Sequence, residues 1–272
     1  MAAVEDYKAD PHIVLSEHKN GLLRLSLNNP DRRNALSEEM LGRLQEEIDA
    51  AGANEDVGCV IIAARGRVFS SGHDLKQLRS HRQDRDGGRS YFTSIMARCS
   101  QLVQSIVLLP KPVIAEVQGL ASAAGLQLAA SCDVVIAARS AGFCTPGVNI
   151  GLFCSTPMVA LTRVVQPRQA LEMLLTGDVY SAEDAHRFGL VNRIAADNQL
   201  SETSEEFARK LMSKSLEAIK IGKRAFAAQH RLSLDHAYAH CGKVMVDNLM
   251  IADADEGIGA FLDKRTPRWP ST

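Results

Sequence analysis

Two short stretches and one isolated thiol hold the residue types that could do chemistry. Ser70-Ser71-Gly72-His73-Asp74 gathers hydroxyls, an imidazole and a carboxylate around a glycine. Residues 121–125 carry only small side chains, so a ligand can approach the main chain closely. Ala124 falls near the start of a helix, where amide dipoles favour an anion. The same run also suits plain packing of a helix on a sheet. In the first loop His73 titrates near neutrality, and either its ring or its amide could face a ligand. Asp74 suits a cap on a helix beginning at Leu75. Cys154 becomes a nucleophile only with a base beside it, and an inert buried thiol is the other reading. Asp133, between a helix and a strand, is explained by capping.

These loops need strands and helices to hold them. Residues 13–16 and 22–27 are apolar-rich runs joined by Lys19-Asn20-Gly21, and Asn-Gly tolerates the positive φ of a tight hairpin. After Asn29-Pro30, Ser37 precedes Glu38 and Glu39, then Leu41, Leu44 and Ile48 recur at helical spacing up to Gly52. Residues 59–63 form a continuous apolar run, as expected of a strand covered on both faces. Residues 84–89 are charged and glycine-rich and read as a mobile surface excursion before a helix over 91–108. A strand over 113–117, the small-residue loop, a helix over 126–131 and a strand over 134–138 make a βαβ-type crossover, with the loop at the carboxyl end of a strand where ligands collect. Helices follow over 159–173 and 182–188, the second capped by Ser181. Residues 205–261 are almost continuously helical, with more apolar surface than one chain can cover by itself.

The 272 residues, 46% of them hydrophobic, are enough for a large core. Lys and Arg number 31 against 32 Asp and Glu, so no overall field attracts nucleic acid, and any anion must be gripped locally. No stretch reaches the roughly 20 apolar residues of a membrane span, because Lys111 and Glu116 interrupt the longest candidate. The six cysteines show neither CxxC pairs nor metal-ligand spacing and read as free thiols in a reducing compartment. Residues 1–10 contain Glu5, Asp6 and Asp10 and lack an apolar or Arg-rich leader pattern, which makes the cytoplasm the expected location.

A series of motifs in order carries a wider resemblance. They are Asn29-Pro30 with Arg33-Asn34-Ala35-Leu36, Phe69-Ser70-Ser71-Gly72-His73-Asp74-Leu75, Pro112-Val113-Ile114-Ala115, Gly119-Leu120-Ala121-Ser122-Ala123-Ala124-Gly125, and Ser131-Cys132-Asp133. Thr176-Gly177, Ser181-Ala182, Ala185, Gly189-Leu190-Val191 and Phe261-Leu262-Asp263-Lys264-Arg265 continue the series. Over residues 13–269 the chain resembles the crotonase, or enoyl-CoA hydratase/isomerase, superfamily. Thr145-Pro146-Gly147-Val148-Asn149 and Gly151-Leu152-Phe153-Cys154-Ser155-Thr156-Pro157 mark one branch of it.

The resemblance implies an α/β fold, a crotonase-like spiral of ββα units with a C-terminal helical region. It divides the chain into a core over residues 1–205 and a helical trimerisation region over 206–272, giving a homotrimer or a dimer of trimers. The implied ligand is an acyl-CoA thioester, with coenzyme A arriving as part of the substrate and neither a resident cofactor nor a metal. The amides of His73 and Ala124 would form an oxyanion hole, because this chemistry builds negative charge on the thioester oxygen. Arg33, Lys264 and Arg265 would meet the nucleotide phosphates, and Phe261 would line that pocket, the tail acting on a neighbouring subunit.

The hydratase pattern further asks for one glutamate three residues after the second donor and another directly after the proline of the next segment. Those positions hold Gln127 and Gly147. An amide does not exchange protons at neutral pH and glycine has no side chain. The isomerase pattern also uses the position of Gly147, and the dienoyl-isomerase aspartate is Ser155. Three readings follow: an enzyme with altered or weak hydratase/isomerase chemistry, a silent acyl-CoA-binding scaffold or sensor, or a thioesterase using Cys154 or activated water.

Overall fold

The structure, a computed structural model, describes residues 12–270; the acidic stretch used above to expect a cytoplasmic location lies outside them. The chain opens as the expected hairpin, β1 (Val14–Lys19) and β2 (Leu22–Leu27), turned by Asn20 and Gly21 at φ 51° and 78°. Helix α1 (Glu38–Ala53) starts where Ser37 Oγ accepts the Met40 amide and buries Met40, Leu41, Leu44 and Ile48.

From there the chain winds through three turns of one pattern. The first is β3 (Cys59–Ala64), β4 (Val68–Ser70), then helices α2 (Leu75–His81) and α3 (Arg89–Leu108). The second is β5 (Val113–Val117), β6 (Leu120–Ser122) and α4 (Ala124–Ala130). The third is β7 (Val134–Ala138), β8 (Gly142–Cys144) and α5 (Ser155–Leu161). In each turn the first strand joins a large sheet and the second a small one, with β3, β5 and β7 parallel in the former and β4, β6 and β8 parallel in the latter. Because every turn advances one place in both sheets, the segments leaving β4, β6 and β8 emerge side by side. Those segments carry His73, Ala124 and Gly147.

The remainder is α6 (Pro167–Thr176), β9 (Tyr180–Ser181), α7 (Ala182–Arg187), β10 (Arg193–Ala195), α8 (Leu200–Met212), α9 (Leu216–Gln229), α10 (Leu234–Leu249) and α11 (Ala252–Leu262). The large sheet runs β1-β2-β3-β5-β7-β10 and the small one β4-β6-β8-β9. Helix α8 packs on β3, β5 and β7 and buries Leu200, Ser204 and Ala208. Helices α9 and α10 bury none of their residues; Leu234, Tyr238 and Met250 are 76%, 75% and 81% exposed. No helix among the described residues is long and apolar enough to cross a membrane.

Three local expectations are revised, and a fourth, the exposed stretch 84–89, gains detail. The small-residue loop contains β6, whose pairing with β4 and β8 needs the whole fold and leaves no mark on three residues. The helix expected over 159–173 is two, because Pro167 opens α6 after the chain leaves α5. The charged stretch 84–89 is a hydrogen-bonded turn in which Asp86 accepts the Gly88 amide at 3.0 Å and the Ser90 amide at 2.8 Å, starting α3 at Arg89. Asp133 is a tie rather than a cap: one carboxylate oxygen takes the Val113 amide at 2.7 Å and Lys223 Nζ at 2.6 Å, fastening α9 to the core. Burial pushes that carboxyl up, against the opposing pull of Lys223.

Candidate active site

Asn34, fully buried, sets the path of the His73 loop. Its side chain donates to the Arg65 and Val68 carbonyls at 2.9 and 2.8 Å and accepts the Asn29 amide at 2.8 Å. Ser70 Oγ donates to the Asn34 carbonyl at 2.8 Å and accepts the Gly72 amide at 3.3 Å, while the Leu36 amide donates to the Gly72 carbonyl at 2.8 Å. Asp74 Oδ1 then caps α2 through the Lys76 and Gln77 amides. Asn34 falls within a sequence motif that gives it no task, because the Arg65 and Val68 carbonyls it holds are more than thirty residues away in the chain.

Two glycines press this loop onto the start of α4. Gly72 has φ +87°, and a Cβ there would stand 3.1 Å from the Ala124 nitrogen and 3.0 Å from Ala123 Cβ. A Cβ at Gly125 would lie 2.4 Å from the Ser70 carbonyl oxygen. Ala123, between them, holds φ 49° and ψ −116°, a costly conformation for a residue with a Cβ; its amide is tied to the Cys144 carbonyl at 2.9 Å. The Ala124 amide belongs to the first turn of α4, where no intrahelical acceptor exists. An alanine in the left-handed half of φ/ψ space gives no sequence signal.

The junction opens into a cavity of about 940 Å³. Its wall contains His73, Ala124, Gly147 and Cys154, so four of the expected site residues meet in one place, joined by Ser155. Leu75 and Leu78 of α2, Phe92 and Met96 of α3, and Leu152 and Phe153 before α5 make most of the rest apolar. Among the described residues no Asp or Glu forms part of this wall. Gln127 is 3% exposed, lies outside the wall, and its Oε1 has no hydrogen-bond partner. An added Cβ at Gly147 would meet Cys154 Sγ at 3.0 Å, so the thiol crowds that position.

Burial lowers the pKa of His73, with a weaker upward pull from the Leu36 carbonyl. Neither ring nitrogen makes a well-formed hydrogen bond, and burial disfavours the charged form of the imidazole. Burial pushes the Cys154 thiol up despite a backbone hydrogen bond at Gly147. The cations expected at the nucleotide lie elsewhere within this chain. Arg33 is exposed and reaches the site through its carbonyl, which accepts the Ser71 amide at 3.0 Å. Arg265 is held by both Glu256 oxygens at 2.7 and 2.9 Å, which pull the Glu256 carboxyl down to about 2. Phe261 is 82% exposed, and neither it nor Lys264 forms part of the wall. No cluster that could hold a metal ion occurs among the described residues, and all six cysteines are free.

A spiral of paired strands that brings two glycine-supported amide loops to one cavity defines the class, and comparison agrees. The chain belongs to the enoyl-CoA hydratase/isomerase family, whose model matches residues 17–272. Within it, the chain is 44% identical over 262 residues to the rat protein named enoyl-CoA hydratase domain-containing protein 3, mitochondrial, covering 96% of this chain and 86% of the relative. The crystal structure of the human protein of that name superposes with a TM-score of 0.90 at 43% identity, over 95% of this chain and 100% of that one. More distantly, 1,2-epoxyphenylacetyl-CoA isomerase of Escherichia coli is 31% identical over 265 residues, 94% of this chain and 97% of the relative. The cytoplasmic expectation is overturned: rat, mouse, zebrafish and human relatives are all named mitochondrial. The reasoning failed because a compartment is set by an address that a receptor reads, which composition and fold do not encode.

Proposed function

We propose that the cavity binds an acyl-CoA thioester, its carbonyl oxygen against the amides of His73 and Ala124, and that hydration of an enoyl group is slow or absent. The observation that carries this reading is that His73 and Ala124 share a largely apolar cavity wall in which, among the described residues, there is no carboxylate. Two amides placed where negative charge develops are each worth about 3 kcal/mol in transition-state stabilisation. They polarise the carbonyl whatever follows. Adding water requires a group to take and return its proton, and the neutral imidazole of His73 is the one side chain in the wall suited to that at neutral pH.

The absence of wall carboxylates equally favours a silent acyl-CoA sensor or scaffold. A thioesterase through Cys154 is not supported, since burial disfavours its thiolate and the His73 ring makes no hydrogen bond to it. On this reading coenzyme A enters with the ligand and no resident cofactor or metal is needed. The exposed apolar faces of α9 to α11 fit self-association of the helical region over 206–272, a trimer or pair of trimers, through which Phe261, Lys264 and Arg265 would reach a neighbouring site. The relatives' names suggest a mitochondrial protein. Calorimetric titration with a saturated acyl-CoA, run beside a crotonyl-CoA hydration assay, tests both halves: micromolar-range binding with little turnover is expected, and vigorous hydration would overturn the reading of the wall.

A further inference from the structure

The cavity wall includes two charged side chains that the thioester reading does not use. Arg79 and Arg82, one turn apart at the end of α2, both form part of it. Among the described residues neither makes an ion pair. The acids nearest in sequence are engaged elsewhere: Asp74 with Arg32 and the α2 amides, Asp84 with His81, and Asp86 with Ser90. The surrounding stretch is basic, with Lys76, Arg79, Arg82, Arg85 and Arg89 against Asp84 and Asp86. This charge is local, since the whole chain is nearly neutral.

Position along α2 says which end of a ligand these cations meet. Arg32 and Arg33 flank the beginning of the helix, bound to Asp74 and to the Ser71 amide. His73 comes next, the helix opens at Leu75, and Arg79 and Arg82 lie four and seven residues further, about 6 and 10 Å along its axis. Between them the wall is Leu75 and Leu78, faced by Phe92 and Met96. With the carbonyl at His73, an acyl chain laid along this apolar stretch ends at two guanidiniums that make no ion pair among the described residues. An extended, staggered chain of roughly eight carbons spans that distance.

Resting on the acyl-CoA reading above, we infer that Arg79 and Arg82 select acyl groups with an anionic far end, and that the ligand class is a medium-chain ω-carboxyacyl-CoA. Guanidinium pairs with carboxylate in a fixed two-pronged geometry, and a cation at the end of an apolar channel has little to offer a methyl group.

The test compares octanedioyl-CoA with octanoyl-CoA, equal in length and in phosphates, by calorimetric titration. The wild-type chain should bind the first about tenfold more tightly, as one charge-assisted contact near solvent allows. In Arg79→Ala/Arg82→Ala the preference should fall within about twofold while octanoyl-CoA affinity holds, and Arg82→Glu should favour octanoyl-CoA. Equal wild-type affinities, or an equal loss for both ligands in the double variant, would overturn the inference; the second result would mean the arginines hold the coenzyme's phosphates. If neither ligand binds a folded wild-type chain, the acyl-CoA reading itself fails.

Discussion

Putting a carboxylate back at position 147 separates loss of a catalytic group from wider drift of the pocket. Gly147 lies outside the left-handed φ region, so a side chain meets no backbone strain there, only crowding. The new Cβ would stand 3.0 Å from Cys154 Sγ, 3.0 Å from the Leu152 carbonyl oxygen and 3.3 Å from the Cys154 nitrogen. Overfilling a packed site by that much costs about 1–3 kcal/mol. In a chain of 272 residues this lowers the melting temperature by roughly 2–12 °C, at about 2–4 °C per kcal/mol. Adding Cys154→Ala removes the sulfur contact but not the carbonyl one, so about half the loss should return. Gly147→Glu/Cys154→Ala then has one carboxylate in the wall, and crotonyl-CoA hydration, followed by loss of enoyl absorbance, should rise by about 10²-fold, the low end for a positioned acid or base. Gln127→Glu alone should give no gain, because position 127 lies outside the wall, and should cost stability by burying a carboxylate whose predecessor's oxygen already lacks a partner. The reasoning is refuted if a folded, ligand-binding Gly147→Glu/Cys154→Ala shows no gain, or if Gln127→Glu alone restores turnover.

Two further outcomes follow from the loop junction. Gly72→Ala forces a left-handed φ of +87° on an alanine and wedges its methyl 3.1 Å from the Ala124 nitrogen; acyl-CoA affinity should fall at least about tenfold, a loss of about 1.4 kcal/mol, and unchanged binding in calorimetry would show that the two loops do not act together. Because the folded state lowers the pKa of His73, the unfolded chain takes up that proton first as pH falls. The His73 contribution to stability is therefore intact above the unfolded value of about 6.5 and declines below it. Melting temperatures at pH 7.5 and 5.5 should differ less in His73→Phe than in the wild type, and an identical difference would place the ring in contact with water.

What the chain reveals before folding is what neighbours in sequence decide. The Asn20-Gly21 hairpin, the Ser37 start of α1 and the capping box of Ser181 and Asp184 need only residues a few positions apart. The unbroken apolar runs of β3 and β7 announce strands covered on both faces. Motif order then located His73, Ala124, Gly147 and Cys154, which the fold gathers in one wall. Hidden from that reading were features made by strands of different turns meeting: β6, the Asn34 and Ser70 brace, the strained Ala123, and the two arginines of α2 turned to the cavity. Gln127 shows the limit most sharply, since spacing from Ala124 fixes its place along α4 but not the depth at which its side chain ends.

At position 147 the glycine and the Cys154 thiol belong to one arrangement. Cys154 Sγ stands 3.0 Å from the point that a Cβ at 147 would take, so a side chain there is crowded rather than excluded. A chain that had merely lost a carboxylate would leave a hole, and a hole in a cavity wall admits water, the co-substrate of hydration. The sulfur beside position 147 narrows any such gap and adds apolar surface to the wall. On the function proposed above, that suits a site holding an acyl group without hydrating it, and a glutamate at 147 requires the sulfur to give way by a few tenths of an ångström.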